Sequence, residues 1–419
     1  MNPTERRNST LNAAGEALFG FKANLIASAT VLTVLLREYG ASPRLIGAVW
    51  SIETAGALLP QLLGLYVFHS YRQRKRRLIL WHMVVMLPVL GVMSALTCMA
   101  SSLDPAVYRW SMLAGHAYYW LMIGVVNAAW SDFLAGIFPT SIRGTVMGLA
   151  MFAASFAGAL GGLVAGYLIR SFPAPQVYAA LYGVAWGLGT LSMCLWIPVD
   201  DTALRDSTEP PPPSIPLLAK HFAHSLADGN FRAFLLARIL ATLGFCIIPF
   251  IALRFMDPAS GGLSRSTIVS CGAVMTLGFS LGSLVMGPLG DRYGHRLGVL
   301  LGSGLQVVAL LVLLFIPGLA GCILAYGCAG ICNACGCVSH YNMIFETCPH
   351  EHRMAHISIG SLLIGAPMAF AAVLAGLIAE WSSLDAVFGL CLALSAMAFV
   401  WCLLRVKEPR TLKLAAGSL

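Results

Sequence analysis

Gly287-Pro-Leu-Gly-Asp291-Arg292-Tyr-Gly294-His-Arg296 lies where one apolar run, 266–288, gives way to the next, 297–316. A helix needs about 20 residues to cross a ~30 Å hydrocarbon layer, and both runs reach that length. The stretch therefore reads as a short turn between two membrane-spanning helices. Gly287 lets neighbouring helices approach closely, and Gly294 permits a tight reversal. Asp291 can accept hydrogen bonds from a neighbouring helix N-terminus, while Arg292 and Arg296 hold the turn at an anionic lipid surface.

Composition extends this reading to the whole chain. Of 419 residues, 58% are hydrophobic and only 11% charged, against about 25% charged residues in a soluble domain. A water-soluble globule so poor in charge would expose too much apolar surface, and a disordered chain would lack this apolar content. What remains is a polytopic, all-α integral membrane protein. The 12 cysteines fall mostly inside apolar runs, so they are not a secreted disulfide framework. The first apolar run contains Lys22 and is long, which predicts a retained span rather than a cleaved signal peptide. The net charge of +8 is distributed as a membrane protein distributes it, and no nucleic-acid partner is expected.

Twelve apolar runs are predicted as spans: 13–36, 44–68, 78–101, 107–135, 145–169, 177–198, 233–254, 266–288, 297–316, 319–346, 354–379 and 385–404. Of the 26 Lys and Arg, 18 fall on the side shared by the two termini, six on the other, and Lys22 and Arg238 lie inside spans. The positive-inside rule then places both termini in the cytoplasm. The polar stretch 200–231, with Pro210 to Pro213 and an amphipathic piece from Ile215 to Asp228, reads as a cytoplasmic linker with a surface helix. The halves repeat weakly. At an offset of 210, Pro139 meets Pro349, Arg143 meets Arg353, Ala165 meets Ala375 and Gly166 meets Gly376. At an offset of 216, Lys22 meets Arg238. Two pseudo-symmetric six-helix bundles, 1–199 and 232–419, joined by 200–231, are the predicted architecture.

With Gly287, Asp291, Arg292, Gly294 and Arg296 in place, the turn resembles the G-x-x-x-D-R-x-G-x-R loop of the major facilitator superfamily. Glu346 and Arg353, spaced E-x6-R across Pro349, resemble a sugar-porter element of the same superfamily. The resemblance implies a twelve-helix transporter in which Glu346, Arg353, Asp291 and Arg292 form a cytoplasmic latch, made and broken as that side closes and opens. The N-terminal half departs from the pattern. Tyr71 stands where an acid is expected and Gly136 where a glutamate is, although Arg143 is present. Ala157-Gly158-Ala-Leu-Gly161-Gly162 approaches the G-P-x-x-G-G pattern of drug/proton antiporters without its proline.

In that superfamily the first and fourth spans of each half line the cavity. Polar side chains there are costly in lipid and are functional candidates. Lys22 and Arg238 are candidate substrate-binding cations, balanced by Asp132, or interfacial anchors that snorkel. Asn127, Trp130, Asn333 and His340 are further substrate-binding candidates. Glu53 and His116 sit at similar depth and, with Asp132, are candidates for proton coupling. Cys328, Cys332 and Cys335 share one face of the tenth span, either as small packing residues or as ligands for a soft metal. No G-x-x-x-x-G-K-[ST] or H-E-x-x-H stretch occurs, so neither ATP drive nor zinc-dependent hydrolysis is expected. The reading is a monomeric secondary transporter, not an enzyme and without a cofactor. It moves a small organic solute by alternating access, powered by protons, in contact with membrane lipids. Short loops suggest a bacterial inner membrane. The alternatives are a transporter-like scaffold or sensor without turnover, and a soft-metal transporter.

Overall fold

The computed structural model describes residues 1–68, 70–205, 226–347 and 353–409, with isolated positions at 216, 220, 223 and 411. Most of the linker piece read as a surface helix lies outside the described residues. So do the side chains of Asp132, Arg143, Asp291, His340, Glu346 and Arg353, whose backbones are helical.

Twelve long helical segments follow one another in the described residues, and no strand occurs among them. They are α1 (Pro3–Glu38), α2 (Pro43–Leu58 and Gln61–Val67), α3 (Tyr71–Cys98), α4 (Pro105–Ile137), α5 (Thr140–Ser171) and α6 (Gln176–Cys194). The second six are α7 (Gly229–Met256), α8 (Arg265–Tyr293), α9 (His295–Phe315), α10 (Gly318–Thr347), α11 (Arg353–Trp381) and α12 (Leu384–Arg405). Ten contain stretches long and apolar enough to cross a membrane; α4 and the interrupted α2 bring the segments to the twelve expected.

Local chemistry explains the ends. α1 begins before its apolar run because Asn2 and Glu5 form a reciprocal capping box, each bond 2.8 Å, with Pro3 at the first helical position. Asp104 caps α4 through the amides of Ala106 and Val107, and Asp228 caps α7 through those of Asn230 and Phe231. The expected reversal at Gly294 is present, with φ of +90°. A methyl on Gly287 would meet nothing within 4 Å, so the close approach expected there is not made; at Gly290 it would run into the His295 ring.

The chain forms two compact units. One comprises Met1–Ser42, Ile52–Pro212 and Ser264–Thr276; the other comprises Pro43–Ser51, Pro213–Leu263 and Leu277–Leu419. In the first, α1 packs on α5 and α6, α3 on α4 and α6, and α2 on α4. Gly56 and Gly124 bring α2 and α4 so close that a methyl on Gly124 would overlap the Gly56 carbonyl. The start of α8 belongs to this unit: Ala273 and Ser270 lie against Gly162 and Gly166 of α5, and Arg265 pairs with Glu38 at 2.9 Å. In the second unit, α7 packs on α11 and α12, and α9 on α10 and α12. Its core includes Phe231, Phe234, Val299, Met343 and Cys402.

Each unit repeats two devices. The first span of each half is interrupted: α1 breaks at Ile26–Ala27 before a π-helical turn, Ser28–Leu32, and α7 tightens at Phe245–Ile247 before Pro249. Each half also clasps its exit. Asn8 exchanges two hydrogen bonds with the backbone of Asp200 (2.8 and 3.0 Å), and Asn230 does the same with Lys407 (3.0 and 2.7 Å). The next residue in each case is an acid that meets the start of a helix. Asp201 pairs with Lys75 at 3.5 Å, and Glu408 accepts from the Arg296 amide at 2.9 Å, where the helix dipole favours an anion.

Candidate functional site

The interruption of α1 sets up the first unit's polar interior. Ser28, just past the break, donates its hydroxyl to the Glu53 carboxylate of α2. His116 Nε2 of α4 lies 3.9 Å from the same carboxylate oxygen. Glu53 keeps 18% side-chain exposure and His116 7%, so the pair is nearly dry but not sealed. The two residues placed at similar depth from sequence are thus neighbours, with Ser28 a third member that sequence reading did not single out.

Lys22 is fully buried one helical turn from the break. Its ammonium donates to the Tyr119 hydroxyl, and it sits 3.8 Å from the centre of the Phe19 ring and 4.9 Å from that of Tyr119. This cation is enclosed by aromatic faces, an arrangement that offsets part of its desolvation. Trp120 stacks edge-on against both His116 and Tyr119, so one stretch of α4 holds both polar pairs.

Towards the start of α1, Glu16 accepts from the Trp130 indole at 3.3 Å and lies within Coulombic range of Lys22. The Trp130 ring meets Trp196 edge-on at 4.6 Å and His82 at 5.4 Å. His82 bonds the Leu78 carbonyl at 2.7 Å, inside the π-helical turn region of α3. Asn127 and Trp130 line one small cavity with Glu16 and His82; Lys22 lines neither that cavity nor the larger one beside it.

In the second unit, the guanidinium of Arg238 lies against α10, where a methyl on Gly336 would come within 3.4 Å of its nitrogens. Asn333 accepts the Cys337 thiol at 3.6 Å. Cys332 contacts Gln306 at 3.8 Å and Cys335 packs against Gly302, so this face of α10 serves its contact with α9. Among the described residues no three His, Cys, Asp or Glu side chains gather to hold a metal ion. At the turn between α8 and α9, Arg296 donates to the Leu403 carbonyl at 2.9 Å and Arg292 stacks on Tyr293. The Asp291, Glu346, Arg353 and Arg143 side chains lie outside the described residues, as do those of Asp132 and His340.

Sequence reading missed Glu16, Asn12 and Glu408. A carboxylate inside the first apolar run was the available signal for Glu16, because such groups are rare in lipid.

Comparison with known proteins decides the fold. The chain superposes on the xylose transporter XylE from E. coli with a TM-score of 0.67, at 13% identity, covering 97% of this chain and 100% of that one. The chain has the major facilitator fold. Residues 233–418 match the Major Facilitator Superfamily model. A POT family transporter crystallised with 5-aminolevulinic acid is similar at TM-score 0.71, 12% identity and 96% coverage of both chains. The nucleoside transporter NupG is similar at 0.65 and 12%, covering 96% of this chain and 98% of that one. No curated protein matches the sequence. With the major facilitator fold and its apolar helices, the chain is a multi-pass integral membrane protein.

Proposed function

We propose that this protein is a secondary transporter that carries a small organic solute by alternating access and couples it to protons through Glu53 and His116. The observation that carries the reading is the Ser28–Glu53–His116 cluster at the break of α1. A carboxylate and an imidazole 3.9 Å apart need to close by only about 1 Å to reach the ~2.6–3.2 Å at which a proton passes directly. Ser28 reports that event to the irregular backbone of the first span, the kind of helix that changes shape in transporters. The superposed structures include a D-xylose-proton symporter (15% identity), peptide transporters and a nucleoside transporter, which supports a small polar solute. Gly287, Asp291, Arg292, Arg296, Glu346, Arg353 and Arg143 are the proposed cytoplasmic latch. Both termini are proposed to be cytoplasmic, in a bacterial inner membrane.

The test uses full-length protein in liposomes loaded with a pH-sensitive dye and challenged with xylose, uridine, dialanine or 5-aminolevulinic acid. A solute that moves protons in the wild type should fail to do so with Glu53→Gln, while solute counterflow at equal pH persists. Loss of counterflow together with proton movement, or loss of neither, would refute the assigned role. Solute flux with no proton movement in the wild type would refute the coupling.

A further inference from the structure

Two cavities in the first unit share Glu16. The larger, about 230 Å³, is bounded by Asn12, Glu16, Leu134, Met151 and Ser155 among others; the smaller, about 110 Å³, adjoins Trp130 and Asn127. The larger has room for several waters, or one compact organic head group. Nothing in the proton-coupling cluster uses Glu16 or Asn12.

Asn12 is the telling residue. It is fully buried, and among the described residues neither Oδ1 nor Nδ2 of its carboxamide finds a hydrogen-bond partner, although it lines the larger cavity. Buried polar groups are almost always paired, so an unpaired one in a cavity wall points to a ligand. Glu16 lies one turn further along the same face of α1. Trp130 supplies a single neutral donor to it at 3.3 Å, whereas a carboxylate can accept about four. Opposite, Met147, Met151 and Ser155 line the cavity from α5. Their spacing continues along that helix to Gly162 and Gly166, which pack on the start of α8. The cavity is therefore the unfilled continuation of a packed face. The nearby cation, Lys22, is already engaged by Tyr119 and covered by Phe19, which leaves Glu16, among the described residues, as the charge presented to a ligand.

We propose that this cavity binds the protonated amine of the transported solute. The ammonium donates to the Glu16 carboxylate and to Asn12 Oδ1, and Asn12 Nδ2 donates to an acceptor on the solute. Leu134 and Met151 cover its apolar part. This names the substrate class and rests on the transport reading above.

The test is calorimetric titration of the purified full-length protein with three compounds matched in shape: benzylamine, benzyl alcohol and benzoate. Benzylamine should bind at least about tenfold more tightly than the other two, as a charge-assisted bond requires. Glu16→Gln should erase that preference. Ser155→Phe, which fills the cavity from a partly buried position on α5, should abolish binding and keep the wild-type melting temperature. If Glu16→Gln does not fold, Ser155→Phe decides. Equal binding of benzyl alcohol or benzoate, a preference that survives Glu16→Gln, or no benzylamine binding up to about 10 mM would each overturn the proposal. The two readings fail separately. Amine-selective binding with no solute flux defeats transport alone; proton-coupled uptake of a neutral sugar that is indifferent to Glu16→Gln defeats the amine site alone.

Discussion

Replacing Asn12 by leucine should make the protein more stable and less able to bind. The carboxamide is fully buried with both polar atoms unpaired among the described residues, and an unsatisfied buried group costs about 1–3 kcal/mol. Leucine removes that cost, places apolar atoms against Leu134 and Met147, and is the better helix former by a few tenths of a kcal/mol. Overpacking of the cavity wall takes some of this back. The expected net gain is about 2 kcal/mol. For a cooperative unit of about 200 residues, where 1 kcal/mol shifts Tm by roughly 2–4 °C, that is a rise of about 5 °C. Thermal unfolding of purified wild type and Asn12→Leu, followed by tryptophan fluorescence without ligand, measures it. Benzylamine titration of the same samples should show binding lost. An unchanged or lower melting temperature would mean that the amide is bonded in the native protein, and the argument for a ligand at that position would collapse. Stability traded against function in one side chain is the signature of a binding site.

Four further outcomes follow from the geometry. Gly124→Ala should destabilise by about 1–3 kcal/mol, because its methyl meets the Gly56 backbone and backbone cannot rotate away; Gly148→Ala, with nothing within 4 Å, should be neutral or stabilising in the same melting assay. Asp201→Ala should cost about 1–2 kcal/mol and not the 3–5 of a stranded buried charge. Its partner Lys75 keeps bonds to the Ile197 and Val199 carbonyls at 3.0 and 2.6 Å, which a double-mutant cycle with Lys75→Met resolves. The Thr202 hydroxyl and amide hold Asp200 below its ordinary value of 3.8. Its contribution is therefore present above that value and lost as pH falls through the lower folded-state value, and Asp200→Asn should flatten the dependence of Tm on pH only in that acid range. Zinc should leave maleimide labelling of Cys328 unchanged, since Cys332 and Cys335 beside it are committed to packing on α9; strong protection would restore the soft-metal reading.

Much of the architecture was legible because lipid imposes it. A span must be about 20 apolar residues long, so α8, α9 and the turn between them could be read from Gly287 to Arg296, including the left-handed Gly294. The internal repeat was only partly legible. The clasps relate Asn8 to Asn230 and Asp200 to Lys407, offsets of 222 and 207, and unequal loop lengths hide such a correspondence from any single shift. Glu53 and His116 could be paired by depth, because rise along a helix is counted directly in residues.

Asn12 and Glu16 show where that counting ends. Neither was singled out from the sequence, because Asn12 precedes the first apolar run and Glu16 stands near its start. Which neighbour each one faces depends on how α1 is rotated against α4 and α5. Each residue turns the face by about 100°, and that rotation is set by close contacts such as Gly20 on Ala154 and Gly161 on Phe21. The linear chain determined how many helices there are, where they end and which charges they carry. Only the packed structure decided that Lys22 would be sealed among rings while Glu16 and an unpartnered amide would line a cavity, because side-chain contacts are made between helices far apart in sequence.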